Sequence, residues 1–313
     1  KIRHLYENLP PYAIAEKGMW GPPIKDSPDA PDDMWIRHPS MLMPLFPIGE
    51  FDIATTDKEL LEILSNTVDF LEERCEIGVF GGSWISAAAA RLGRGQMALR
   101  GIDHMLRSNG LTAEQTERFI NFCLMNRQPL FYPCMMEYTG EMLAAVNEML
   151  LQSYNDLIRV FPAIPDGDKE WGRLHRNGYS ITEYIDRYVD YDPWNDVRFD
   201  KLLTKGAFEI SAELKDRKLQ WILVHSQKGG TVRLTSPFLT EAEIVYCDGK
   251  PVETWFENHA ICFETQPGAY YLISDHGSVA VPEFSAGDYQ LHTLVRESYT
   301  KRKAFIGEDK DTA

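Results

Sequence analysis

The sequence predicts a helical region followed by an antiparallel β region. Two observations carry this: apolar residues recur at helical spacing through the first half, and the period drops to two after Gly206. A third agrees, since short apolar segments in the second half are separated by tight-turn pairs. Helices first and strands second argue for separate α and β domains and against interleaved βαβ units.

Taken in order, a helix is expected near Pro39, then one opened by a Thr56/Glu59 capping box, with Leu60, Leu61, Leu64, Val68 and Leu71 along one face. The alanine-rich run 84–91 and the segment 96–107 follow, with Gly93-Arg94-Gly95 read as a helix-to-helix turn. Thr112 and Gln115 repeat the capping device before Phe119, Phe122 and Cys123. A helix over 138–154 buries Met142, Val146, Met149 and Leu150, which brings the total to roughly six helices before Phe161.

Beyond Gly206, residues Phe208, Ile210, Ala212 and Leu214 alternate with Glu209, Ser211 and Glu213, as a strand with one wet face requires. Gly229-Gly230, Asp248-Gly249 and Gln266-Pro267-Gly268 read as hairpin turns, and strands at this spacing build a sandwich. The organisation expected is a helical domain over 1–165, a linker or insertion over 166–203, a β-sandwich over 204–300 and a charged tail over 301–313.

The chain of 313 residues has 32 Lys and Arg against 47 Asp and Glu, a net charge of −15. That field repels phosphate backbones and anionic lipid surfaces, so nucleic acid and membrane are not expected partners. Apolar runs fall far short of the roughly 18 to 20 residues that span a bilayer. Five scattered cysteines, never spaced as C-x-x-C, argue against a disulfide framework, and His259 with Cys262 lacks a second ligand pair, so no metal is expected. Gly81-Gly82-Ser83-Trp84-Ile85 lacks the closing glycine of a serine elbow.

Aromatic and carboxylate groups are more informative. Sugar recognition uses flat apolar faces beside hydrogen-bonding acids, and glycoside cleavage uses two carboxyl groups across the bond. The segments 35–50, 80–84 and 131–141 combine these residue types where loops open helices. Glu137 and Glu141 stand four apart at a helix start, a place where a carboxylate also serves simply to offset the helix dipole.

Several strings then resemble one family. Leu9-Pro10-Pro11-Tyr12-Ala13-Ile14, Arg37-His38-Pro39-Ser40 leading to Leu45-Phe46-Pro47, Trp84 with Ala90-Arg91-Leu92-Gly93, and Glu148-Met149-Leu150-Leu151-Gln152-Ser153 are similar in order and spacing to glycoside hydrolase family 95. Phe161-Pro162-Ala163-Ile164-Pro165 and Gly206-Ala207-Phe208-Glu209-Ile210 extend the resemblance, which runs from about Asn8 to Leu234.

The resemblance implies the C-terminal part of an (α/α)6 toroid followed by a β-sandwich, in an inverting α-L-fucosidase or α-L-galactosidase without cofactor. It places the general base at Glu137, where the family has Asp, and a sugar-contacting histidine at His38. Arg37, Trp84, Tyr138 and Glu141 are further candidate substrate contacts. The family's Gly-Asn-Phe-Gly is here Tyr138-Thr139-Gly140-Glu141, which implies a divergent subgroup. The general acid and two asparagines map upstream of the first residue, so the chain is expected to be part of a longer protein or to be completed by a second chain. The resemblance also implies a periplasmic or extracellular setting and a glycan as partner. Two other readings remain at this point: a carbohydrate-binding or scaffold protein that kept the toroid without the chemistry, and an unrelated two-domain interaction protein.

Overall fold

The computed structural model describes residues 2–18, 20–34, 36, 38–54, 57–74, 81–107, 136–167, 193–240 and 242–275. After a short helix α1 (Ile2–Glu7), a single 3-10 turn at Ser40–Leu42 stands where a helix near Pro39 was expected. Helix α2 (Lys58–Arg74) carries Leu64, Val68 and Leu71 fully buried on one face, as its spacing predicted. Its N-cap is Asp57, whose Oδ1 accepts from the Leu60 N–H at 3.0 Å, one residue after the expected Thr56. Thr56 itself lies outside the described residues, as do Thr112, Gln115, Phe119, Phe122 and Cys123.

Helix α3 (Gly82–Arg91) is small or apolar almost all round, and Ala87 through Ala90 are buried. Such a helix has no wet face and sits inside a packed layer. The turn at Leu92 to Arg94, with Gly93 at φ +72°, reverses the chain into α4 (Gly95–Arg107), as expected. The α3–α4 approach is close at Gly101, where a Cβ would lie 2.2 Å from Ser86 Oγ and 2.8 Å from the Gly82 carbonyl.

Helix α5 (Met136–Leu150) ends four residues earlier than the expected 138–154. The residues Leu151–Tyr154 form strand β1 and pair with β2 (Leu157–Val160) across a two-residue turn, Asn155 and Asp156, both with positive φ. Asn and Asp tolerate that left-handed pair, so the chain reverses without glycine. The apolar run Met149 to Leu151 reads as continuous helix only because nothing in it marks the change of period.

The β region therefore begins at Leu151, before the expected start at 204; residues 276–300 of the expected range lie outside the described residues. Among the described residues eleven strands form two sheets. Beyond β1 and β2 these are β3 (Val197–Thr204), β4 (Phe208–Lys215), β5 (Lys218–Ser226), β6 (Gly230–Thr235), β7 (Ile244–Cys247), β8 (Lys250–Pro251), β9 (Trp255–Glu257), β10 (Ala260–Thr265) and β11 (Ala269–Ser274). The five-stranded sheet has the order β1-β2-β6-β10-β9, with β2 and β6 parallel. The six-stranded sheet has the order β3-β4-β5-β11-β7-β8 and is antiparallel throughout. β3 starts within the expected 166–203 linker; residues 168–192 of that segment lie outside the described residues.

One apolar core lies between the sheets. Val160, Val232, Leu234, Ile261 and Phe263 face it from the five-stranded sheet, and Phe208, Ile210, Ile222, Val224, Val245 and Ile273 from the other. Asp248-Gly249 is the expected two-residue hairpin between β7 and β8. Gly229-Gly230 and Gln266-Pro267-Gly268 are not hairpins: each carries the chain from one sheet to the other. The two crossings run side by side, tied by the buried Ser226 and Thr265 hydroxyls at 2.8 Å. A turn signal reports that the chain reverses, not which sheet the next strand joins.

Among the described residues no helix is long and apolar enough to cross a membrane.

Candidate functional site

Helices α3 and α5 lie side by side and run the same way. Near their N-terminal ends Ser83 Oγ donates to Glu141 Oε2 at 2.7 Å. Eight residues on, Arg91 meets Glu148 through two parallel hydrogen bonds, Nε to Oε2 and Nη2 to Oε1, both 2.9 Å. Contacts in the same order along both chains, roughly 12 Å apart at 1.5 Å per residue, require parallel axes. Helix α4 returns the chain antiparallel between them.

The C-terminal end of this pair is a closed joint. Arg91 is 6% exposed and also donates from Nη1 to the Leu45 carbonyl at 2.8 Å. Its guanidinium lies 4.1 Å from the centre of the Tyr154 ring, and Arg159 lies 4.5 Å from the same ring. Arg159 pairs with Asp52 at 2.8 Å, and Gln152 Nε2 donates to the carbonyls of Ala90 and Glu148. Burial pushes the Tyr154 hydroxyl above its usual range even with two guanidiniums beside the ring. Each guanidinium here is matched by a carboxylate, and such a joint holds helices to sheet.

Sequence reading singled out none of these as a cluster. Yet Leu45, Arg91, Glu148 and Gln152 all belong to the strings that carry the family resemblance, and the fold brings them together. They come from three of the six strings, with Glu148 and Gln152 sharing one.

The opposite end carries Glu137, Tyr138 and Glu141 in the first two turns of α5 and Trp84 in the first turn of α3. Glu137 and Tyr138 occupy the first turn of α5; their side chains lie outside the described residues. Glu141, a turn later, is half-buried and bound to Ser83, so it couples the two helices beyond any effect on the dipole. Trp84, in the first turn of α3, donates from Nε1 to the Phe46 carbonyl at 2.7 Å and packs on the helical core. Its indole thereby holds the 44–47 loop against α3. A Cβ on Gly140 would meet nothing within 4 Å, so the flank of the first turns of α5 is open. His38 is exposed, in the stretch before the 3-10 turn, and its carbonyl accepts from the Ser40 N–H. Arg37 lies outside the described residues.

Comparison with protein-family models gives no match, and comparison with curated proteins gives none. Among the described residues no group of three or more His, Cys, Asp or Glu is placed to hold a metal ion. At this end the described residues place Glu137 and Tyr138 in the first turn of α5, the Glu141 carboxylate on Ser83 and Trp84 in the first turn of α3. Carboxylates beside aromatic rings serve proton transfer and polyol binding.

Proposed function

We propose that this chain is the C-terminal part of the catalytic module of an inverting exo-glycosidase resembling glycoside hydrolase family 95. Its substrate class is a glycan ending in α-linked L-fucose, L-galactose or a related sugar. In this reading α3 and α5 are two neighbouring inner helices of an (α/α)6 toroid and α4 is the outer helix between them. The observation that supports it is the parallel α3–α5 pair, locked at one end by residues of the resembling strings, with Ser83 bonded to Glu141 and Glu137 in the first turn of α5 toward the other. Gly140, Leu143 and Asn147 form an exposed stripe on α5, available to the helices that the toroid reading places upstream or in a second chain.

Glu137 serves as general base. It occupies the first turn of α5. Ionised, it accepts a proton from water attacking the anomeric carbon, while a general acid outside this chain protonates the leaving oxygen. Inversion needs about 6.5–9.5 Å between the two carboxyl groups to seat that water. Trp84, with its indole fixed by Phe46, and Tyr138 offer flat faces for the ring, and His38 and Arg37 offer contacts to its hydroxyls.

The test is Glu137→Gln in the complete protein, assayed on aryl α-L-fucoside and α-L-galactoside with the first-formed anomer read by NMR. A fall of about 10²–10⁴-fold with a β anomer as first product is expected. Full activity of the variant removes the base assignment. Binding of a fucosylated oligosaccharide without hydrolysis by the unaltered protein favours the scaffold reading.

A further inference from the structure

The outer face of the six-stranded sheet carries a row of side chains that the reading above does not use. Glu209 on β4, His225 on β5 and Tyr270 on β11 are direct cross-strand partners, so all three point to the same side. His225 Nδ1 lies 2.8 Å from Glu209 Oε2, and Gln227 Nε2 donates to Glu209 Oε1 at 2.8 Å. The His225 and Tyr270 rings stack with centroids 4.2 Å apart and planes 8° apart. Tyr270 is 51% exposed even with one face against the imidazole, so its other face stands in solvent.

These contacts fix the chemistry that the row presents. The two hydrogen bonds to Glu209 hold its carboxyl below the usual carboxylate range, His225 contributing most. An ionised Glu209 only accepts, so Nδ1 donates to it and Nε2 is the ring nitrogen left for another partner. The row is thus a flat apolar face, an adjacent ring nitrogen held in a fixed direction and a carboxylate already bonded on both oxygens. Anions are disfavoured by Glu209 and by the net charge of −15. An uncharged ring with C–H groups on one face and hydroxyls at its edge fits all three.

We infer that Glu209, His225 and Tyr270 form a binding site for one sugar unit of a neutral glycan, stacked on the free face of Tyr270 with a hydroxyl hydrogen-bonded to His225 Nε2. The site is separate from the Glu137 end, on the far side of the sandwich core, and rests on the proposed function only for the class of glycan offered. It holds a glycan by the β region while another unit is at the helical end, which raises the effective concentration of chain ends there.

The test titrates the full chain with 2′-fucosyllactose, following the side-chain NMR signals of His225 and Tyr270. Saturable shifts of both, with a dissociation constant on the order of 1 mM, are expected. Tyr270→Ala should bind at least about tenfold more weakly, a loss of about 1.4 kcal/mol, and Tyr270→Phe within about threefold of the unaltered chain. Far-UV circular dichroism checks that both variants fold. Absence of shifts at His225 and Tyr270, equal binding by folded Tyr270→Ala, or equal binding of D-glucuronate overturns the inference. Each of those results is independent of Glu137→Gln, so the two proposals fail separately.

Discussion

Removing Glu148 tests the buried joint most directly. In Glu148→Leu, Arg91 stays 6% exposed and loses both hydrogen bonds to the carboxylate. Breaking a buried pair from one side costs about 3–5 kcal/mol, because a charge is left without its counter-ion. Arg91 keeps the Leu45 carbonyl and the Tyr154 ring, and a desolvated cation–π contact is worth about 2 kcal/mol, so the low end, about 3 kcal/mol, is expected. Arg91→Met loses more contacts but leaves a carboxylate with 15% side-chain exposure, which water reaches, so its cost is similar.

In the double variant Arg91→Met/Glu148→Leu no charge is stranded. The remaining losses are the Leu45 carbonyl's partner and the ring contact, and the double should cost less than the sum of the singles by about 2–3 kcal/mol. Urea unfolding followed by circular dichroism reads this. With a slope of about 3 kcal/mol/M, the Glu148→Leu midpoint falls by about 1 M. A single-variant cost below about 1 kcal/mol, or singles and double additive within about 0.5 kcal/mol, would refute the buried, mutually dependent pair.

Gly101→Ala should destabilise by about 1–3 kcal/mol, because the new methyl meets Ser86 Oγ and the Gly82 carbonyl and forces α4 off α3; an unchanged unfolding midpoint would show that the helices are not in that contact. The Glu209 carboxyl, lowered by its hydrogen bond from His225, should titrate below the ordinary 4.5. Since its folded value is the lower one, its contribution to stability is present above the unfolded value and is lost as pH falls through the folded one. His225→Ala should raise the Glu209 midpoint in a carboxyl NMR titration; no movement would show that the pair does not form.

Elements with a strong period were legible in the sequence. The α2 stripe, the alanine-rich α3, α4 and strand β4 follow from spacing alone. What failed shares a physical cause: pairing is a property of two segments. Leu151–Tyr154 continues an apolar helix until Asn155 and Asp156 fold it back on Leu157–Val160, and that turn lacks the glycine that marks Asp248-Gly249. Glu209 was placed on a wet strand face, but its partners His225 and Tyr270 required the register of β4, β5 and β11. Ser211, expected on that wet face, is 3% exposed because its hydroxyl bonds Asp200 and the Lys201 N–H. Of the candidate site, spacing put Glu137, Tyr138 and Glu141 at a helix start. It could not show that Ser83 and Trp84 open the neighbouring parallel helix.

The junction of helix and sheet decides how the two regions act on each other. Helix α5 ends at Leu150 and β1 begins at Leu151, with no residue between. Along β1 and β2, Leu151, Ile158 and Val160 face the sandwich core, while Gln152, Tyr154 and Arg159 face the helices. A slip of one residue would exchange those faces, placing a guanidinium in the apolar core. The register of β1 on β2 therefore fixes the rotation of α5 about its axis, and with it the direction in which the first turn, Met136 to Thr139, projects. A flexible linker between the helical and β regions would leave that direction free. Here the charged joint constrains it from about 15 Å or more away, since 11 residues at 1.5 Å separate Glu137 from Glu148. Substitutions at Arg91 or Glu148 therefore act on the first turn of α5 through helix orientation.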